Sequence, residues 1–255
     1  MQAQKLPALR GWTWLVAGVR LWRQSPLALT GAATFMTLGL LLLLTFPLFG
    51  QIAFPLLLPA LGVGMFLLCM AVRAGRPAPP ALLFGAFGPR LPALLALGAL
   101  RMAYGMIAAM LAMQLAGLDL SMAQVDTGSL GDEPGVVVRM PEGTSQFMVW
   151  LLVISLPMEM ASWFAAPLIA LRRQALFKSM FFSFVACLRN LGAFVVYMLS
   201  FSLCMMILPI TVALQLGQLF PTLGSLLLAP VVMLAVPIFF TGFYCCAEDI
   251  FGNWE

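Results

Sequence analysis

Residues 26–76 read PLALTGAATFMTLGLLLLLTFPLFGQIAFPLLLPALGVGMFLLCMAVRAGR, and the first charged side chain in them is Arg73. Two apolar runs, each about 20 residues and so long enough to cross a bilayer as a helix, are separated only by Phe46-Pro47-Leu48-Phe49-Gly50-Gln51. The stretch predicts a span, a tight turn and a returning span. Basic residues bracket it: Lys5, Arg10, Arg20 and Arg23 before, Arg73, Arg76 and Arg90 after.

The layout recurs downstream. With the first two runs at about 26–46 and 51–72, further runs fall at about 91–113, 147–171, 190–212 and 222–245. Arg172, Arg173, Lys178 and Arg189 lie between the fourth and fifth, so eleven of the thirteen Lys and Arg residues sit in three patches between pairs of spans. Cytoplasmic loops of membrane proteins carry this excess of Lys and Arg. Six spans with cytoplasmic N- and C-termini follow as the expectation.

Composition points the same way. Hydrophobic residues make up 63% of 255 positions and charged residues 9%, with a mean hydropathy of +1.04. Soluble domains are closer to half apolar and a quarter charged, so lipid must solvate much of this chain. Residues 1–255 are read as one integral membrane domain. The net charge of +4 does not indicate nucleic acid, because the cations adjoin membrane ends. There they attract anionic phospholipid headgroups by roughly 1 kcal/mol each. Candidate headgroup contacts are Arg10, Arg20, Arg23, Arg73, Arg76, Arg90, Arg172, Arg173, Lys178 and Arg189. The run starting at Pro26 lies too far in for a cleavable signal peptide and is expected to remain as a helix. None of the five cysteines falls in a predicted outer loop, so no disulfide framework is expected.

The polar segment 114–146 holds Asp119, Asp126, Asp132, Glu133 and Glu142 against Arg139 and is expected outside, with a short strand at Val136-Val137-Val138. The returning spans carry prolines, namely Pro55 and Pro59, Pro157 and Pro167, Pro230 and Pro237. Each removes a backbone donor and favours a kink. Before each outgoing span comes a short amphipathic stretch. In the N-terminal segment 1–25, Trp12, Leu15, Val16, Val19 and Trp22 share a face; Leu82 to Phe87 form a shorter one; Phe177, Met180, Phe181, Phe184, Val185 and Leu188 form the third. Such helices lie in the headgroup plane. The fold class expected is all-α membrane: six transmembrane helices in three hairpin-like units, each outgoing span preceded by a short amphipathic interfacial helix.

Gly11-Trp12-Thr13-Trp14-Leu15-Val16-Ala17-Gly18, Leu21-Trp22-Arg23-Gln24-Ser25-Pro26 and Ser183-Phe184-Val185-Ala186-Cys187-Leu188-Arg189-Asn190 resemble stretches of a group of uncharacterised six-helix inner-membrane proteins of β-proteobacteria. The resemblance implies a bacterial inner-membrane location. That group has no assigned activity and no catalytic residues to transfer.

The chain contains no histidine, which removes Ser-His and Cys-His dyads, the usual zinc sites and the commonest proton shuttle. No span holds two acids, and phosphate-binding glycine motifs are absent. No enzymatic activity and no cofactor or metal are expected. Two ionisable residues do fall inside spans, Arg101 in the third and Glu159 in the fourth. Intramembrane charge is expensive and marks functional candidates. Their depths differ by about 3 Å at 1.5 Å per residue, so they form a candidate polar pair; the plainer readings are a structural clamp, or an Arg101 that reaches to the headgroups.

Met102, Met106, Met110 and Met113 recur at helical spacing and read as packing in preference to a Cu(I) site. Ala99-x3-Ala103, Ala108-x3-Ala112 and Gly62-x-Gly64 allow close helix approach. Trp12, Trp14, Trp22, Trp150 and Trp254 suit an aromatic belt, and Trp163 is expected beside Pro167. The functional expectation is a non-enzymatic scaffold or accessory protein of the bacterial envelope, with a protein partner or a homo-oligomer both open. The alternative is a small transporter or channel using Arg101 and Glu159.

Overall fold

A computed structural model describes the backbone at 4–117, 143–219 and 221–254, and at four two-residue strands between 125 and 138; side chains are described outside those strands, 208 and 219–232. Ten helices are described: α1 Arg10–Gln24, α2 Pro26–Leu44, α3 Phe49–Arg73, α4 Leu91–Ala116, α5 Thr144–Ser162, α6 Ala165–Ala170, α7 Leu176–Arg189, α8 Leu191–Phe201, α9 Leu208–Leu219 and α10 Pro221–Phe251. A 3-10 turn at Pro80–Phe84 and a π-helical turn at Ser202–Ile207 complete them. Six stretches are helical, long and apolar enough to cross a membrane: Pro26–Leu44, Phe49–Arg73, Leu91–Ala116, Thr144–Ala170, Leu191–Gln218 and Met233–Phe251. Between the fifth and sixth expected runs, at 190–212 and 222–245, the chain is still helical, because α9 runs to Leu219.

Val137–Val138 does pair antiparallel with Val125–Asp126, and Ser129–Leu130 with Glu133–Pro134. Val136 and the intervening acidic residues Asp119, Asp132 and Glu142 lie outside the described residues.

The chain divides into two compact units, one of residues 1–99 and 160–255, the other of Leu100–Glu159. In the first, α1 is a docked helix. A Cβ on Gly11 would collide with the carbonyl oxygen of Ala193 in α8, and one on Gly18 would stand 2.6 Å from the backbone nitrogen of Gly242 in α10. Backbones meet at those two glycines, seven residues apart on one helix face. Trp14 then fills the space between, its ring 5.5 Å from Phe194 and 6.2 Å from Tyr197. The buried face is therefore Gly11, Trp14, Leu15, Gly18 and Leu21. The stripe expected from sequence is rotated from it, and Trp12 stays 48% exposed. Small residues decide the face because they permit the closest approach.

Aromatic rings fill the rest of this core. Phe66 of α3 packs against Phe243, Tyr244 and Trp254, and Phe164 stacks on Phe243 at 5.5 Å. Trp14 and Trp254 are thus core residues and leave the expected aromatic belt. Trp163 sits among Phe194, Phe239 and Phe243.

The fourth span breaks between α5 and α6, four residues before Pro167, which cannot donate to the Trp163 carbonyl, and a hydroxyl bridges the break. The Phe164 N–H donates to Ser183 Oγ at 2.9 Å, and that hydroxyl donates to the Met160 carbonyl at 2.7 Å. Ser183 thus stands between a donor and an acceptor that an unbroken helix would join directly. It belongs to α7, whose buried face is Ser179, Ser183, Ala186 and Cys187. Phe177 and Phe181, the heart of the expected apolar face, point outward at 73% and 63% exposure. Just beyond, the buried Asn190 accepts from the Leu6 N–H at 2.8 Å and donates to the Gln4 and Ala186 carbonyls at 2.9 Å, pinning the N-terminal strap.

In the second unit α4 buries Ala108 and Ala112 but leaves Met106 and Met110 exposed. The methionine stripe is thus an outer surface at those two positions, contrary to the packing role expected for it.

Candidate functional site

Two charged constellations stand out, one in each unit. In the second unit, one Arg101 nitrogen (Nη2) lies 2.8 Å from Glu159 Oε1 and 2.7 Å from Oε2. Both residues occupy the middles of their spans. Arg101 is ten residues from the start of Leu91–Ala116 and Glu159 eleven from the end of Thr144–Ala170, or about 15 and about 16 Å at the helical rise. Three residues along α4, the Tyr104 hydroxyl donates to the Ile154 carbonyl at 2.8 Å. One charged and one neutral contact thus join α4 to α5. The pair is not sealed: the Arg101 and Glu159 side chains are 33% and 47% exposed. Chemically the contact neutralises two charges and leaves a strong dipole.

In the first unit, α1, the end of α3 and the end of α10 converge. Arg10 donates through Nε and Nη2 to Asp249, at 2.9 and 2.6 Å, and the Trp14 indole donates to the same carboxylate at 2.8 Å. The hydrogen bond and the charge of Asp249 raise the Arg10 pKa above its ordinary value, against a small opposing effect of burial. Arg73 approaches Glu248 at 3.4 Å. These residues border a cleft of about 530 Å³, whose walls include Trp12, Thr13, Val16, Ala17, Arg20 and Cys245.

The remaining candidate cations are spread along the chain. Arg172 donates to the Asn253 carbonyl and lies 5.0 Å from the Trp254 ring centroid; Lys178 stands 5.9 Å from that of Phe182. Arg20, Arg23, Arg76, Arg90, Arg173 and Arg189 are exposed. Of the ten headgroup candidates, the structure brings Arg10, Arg20 and Arg73 to one cleft.

A protein of Burkholderia thailandensis named as a probable inner membrane protein is 29% identical over an alignment of 264 residues, which covers 100% of this chain and 96% of the relative. No protein-family model matches the chain, and no solved structure matches it significantly. The chain is a multi-pass membrane protein: six apolar helices and end-to-end similarity to a protein named as a probable inner membrane protein agree.

Sequence reasoning missed the acids of the cleft. Glu248 and Asp249 follow the sixth apolar run and look like its end, yet α10 continues past them to Phe251. Their neighbours in sequence, Cys245 and Cys246, are both free and buried. The usable signal was the acidic pair itself, because an Asp and a Glu at a helix end otherwise crowded with Arg want cationic partners.

Proposed function

We propose that this protein is a non-enzymatic scaffold or accessory protein of the bacterial inner membrane, with both termini cytoplasmic and with α1 and α7 in the headgroup plane. The relative's name and the three basic patches support the location and orientation. The observation that carries the role is the Arg101–Glu159 pair, closed at 2.7 Å yet 33% and 47% exposed at mid-span. Charge turned toward hydrocarbon is costly, by roughly 3 kcal/mol or more per residue at a helix centre. A helix from a partner, laid over α4 and α5 with a polar group at that depth, removes the cost and gains specificity. Mutual neutralisation of the two side chains removes the free charge that a transport path would use.

A second reading rests on the same exposure. If water covers the pair, the site becomes a pathway for a small anionic group or a proton, and the protein a small transporter or channel. Two measurements in native membranes separate them. A photo-crosslinker at the exposed Leu156 should join the protein to one species of defined mass in the scaffold case. A cysteine placed at Glu159 in a cysteine-free background should resist water-soluble thiol reagents from both sides. Rapid labelling, with no crosslinked species, would transfer the assignment to transport.

A further inference from the structure

The cleft between α1, α3 and α10 carries an inference independent of the scaffold reading. Its charges do not cancel. Three guanidinium groups, Arg10, Arg20 and Arg73, face two carboxylates, Glu248 and Asp249, which leaves one positive charge. That charge is localised by geometry. Arg10 is held by two contacts to Asp249, at 2.9 and 2.6 Å, and is consumed by them. Arg73 is only loosely paired at 3.4 Å. Arg20 is exposed and has no acidic partner among the described residues. Two donors, Arg20 and the outer edge of Arg73, are therefore available to one anion.

The walls say what kind of anion. Val16, Ala17 and Trp12 line the cleft beside these cations, and Trp12 is half exposed on a helix that leads directly into the first span at Pro26. A soluble anion gains nothing from an apolar flank and a half-exposed indole. A lipid does, because its glycerol and upper acyl carbons lie where Trp prefers to sit. The volume, about 530 Å³, falls within the range of small-ligand sites. Basic pockets between membrane helices are known to take up anionic headgroups.

We propose that this cleft binds one phospholipid headgroup with a single phosphodiester charge and no ammonium, as in phosphatidylglycerol. The phosphate accepts from Arg20 and Arg73, and the acyl chains leave along Trp12 and Val16. A zwitterionic headgroup such as phosphatidylethanolamine carries no net charge and would leave the positive charge of the cleft unmatched; Asp249 already accepts from Arg10 and Trp14, and the ammonium would have to compete with Arg73 for Glu248.

The test uses the full chain in nanodiscs of equimolar phosphatidylglycerol and phosphatidylethanolamine, extracted into detergent and read by native mass spectrometry for retained lipid. Wild type should keep one phosphatidylglycerol. Arg20→Gln should weaken retention about five-fold, the worth of one basic residue near a membrane surface, at nearly unchanged thermal stability, because the exposed Arg20 side chain has no ion pair to lose among the described residues. Lys5→Gln, exposed in the N-terminal strap and outside the cleft, should retain lipid like wild type. Inorganic phosphate should not displace the lipid. Equal retention of phosphatidylethanolamine, equal losses in the Arg20 and Lys5 variants, or displacement by inorganic phosphate would each overturn the proposal.

Discussion

The Arg10–Asp249 and Arg101–Glu159 pairs join the same two functional groups over nearly the same distance, 2.6 and 2.7 Å. Their surroundings make them different objects. Arg10 stands at the start of α1 with its side chain 46% exposed, beside an open cleft and outside the six apolar stretches. An ion pair there is worth about 0–1 kcal/mol and is screened by salt. Arg101 stands mid-span, where hydrocarbon makes an uncompensated charge expensive. There the pair is an obligation: its formation adds little stability, but loss of one member strands the other. Distance alone therefore says little about what an ion pair does; the medium decides.

The sharpest way to break this contrast is at mid-span. Arg101→Leu alone should destabilise the protein by about 3 kcal/mol, because it removes the guanidinium that offsets the Glu159 charge at mid-span. Arg101→Leu combined with Glu159→Leu should recover most of that loss. The measurement is reversible unfolding in detergent or bicelles on the two single variants and the double variant. Losses that simply add would mean the two side chains act independently, and mid-span would then resemble the α1 end.

How much of this was legible in the sequence follows the same physics. The spans were legible because water and hydrocarbon differ so strongly. The second, expected at 51–72, is Phe49–Arg73, and the third, expected at 91–113, is Leu91–Ala116. The sixth, expected at 222–245, lies within α10, Pro221–Phe251, which runs six residues past the expected end. Glu248 and Asp249 looked like an ending, but guanidinium groups of α1 and α3 meet them and the helix carries on. Arg101 and Glu159 were conspicuous for being charged where nothing else is. Which way each helix faces was the part misread. In water, bulky apolar residues point inward. In lipid that rule loses its force, because tails solvate Phe as well as a core does, and small residues take the inside. Hence α1 docks through Gly11 and Gly18, and α7 through Ser179, Ser183 and Ala186, with Phe177 and Phe181 outward.

Ser183 gives an intermediate case, a neutral polar contact sealed inside the first unit. Ser183→Ala removes the hydroxyl that joins the Phe164 N–H to the Met160 carbonyl. Two backbone groups then lose their partner in a site that admits no water, at a cost of about 1–3 kcal/mol. Amide exchange at Phe164 should quicken, as read by mass spectrometry on peptic fragments. Ser183→Thr keeps the hydroxyl and should hold the exchange rate near that of wild type. If alanine were tolerated with exchange unchanged, the two backbone groups would be satisfied without the hydroxyl, and Ser183 would not be what bridges the α5–α6 break.

The smallest effect is expected at Arg10–Asp249, and it has a direction. Asp249 serves two donors, Arg10 and the Trp14 indole, whereas Arg10 serves only Asp249. Asp249→Ala should therefore cost more than Arg10→Ala, because it also strands an indole N–H on a side chain only 2% exposed, worth roughly 1 kcal/mol more. The coupling between the two charges, taken from a double-mutant cycle, should be at most about 1 kcal/mol and should shrink between low and high salt. The Arg101–Glu159 coupling should not respond to salt, since counter-ions do not enter the span. A salt-insensitive coupling at Arg10 would mean that the α1 end is sealed from solvent, and the cleft beside it could not then admit a headgroup from the aqueous side.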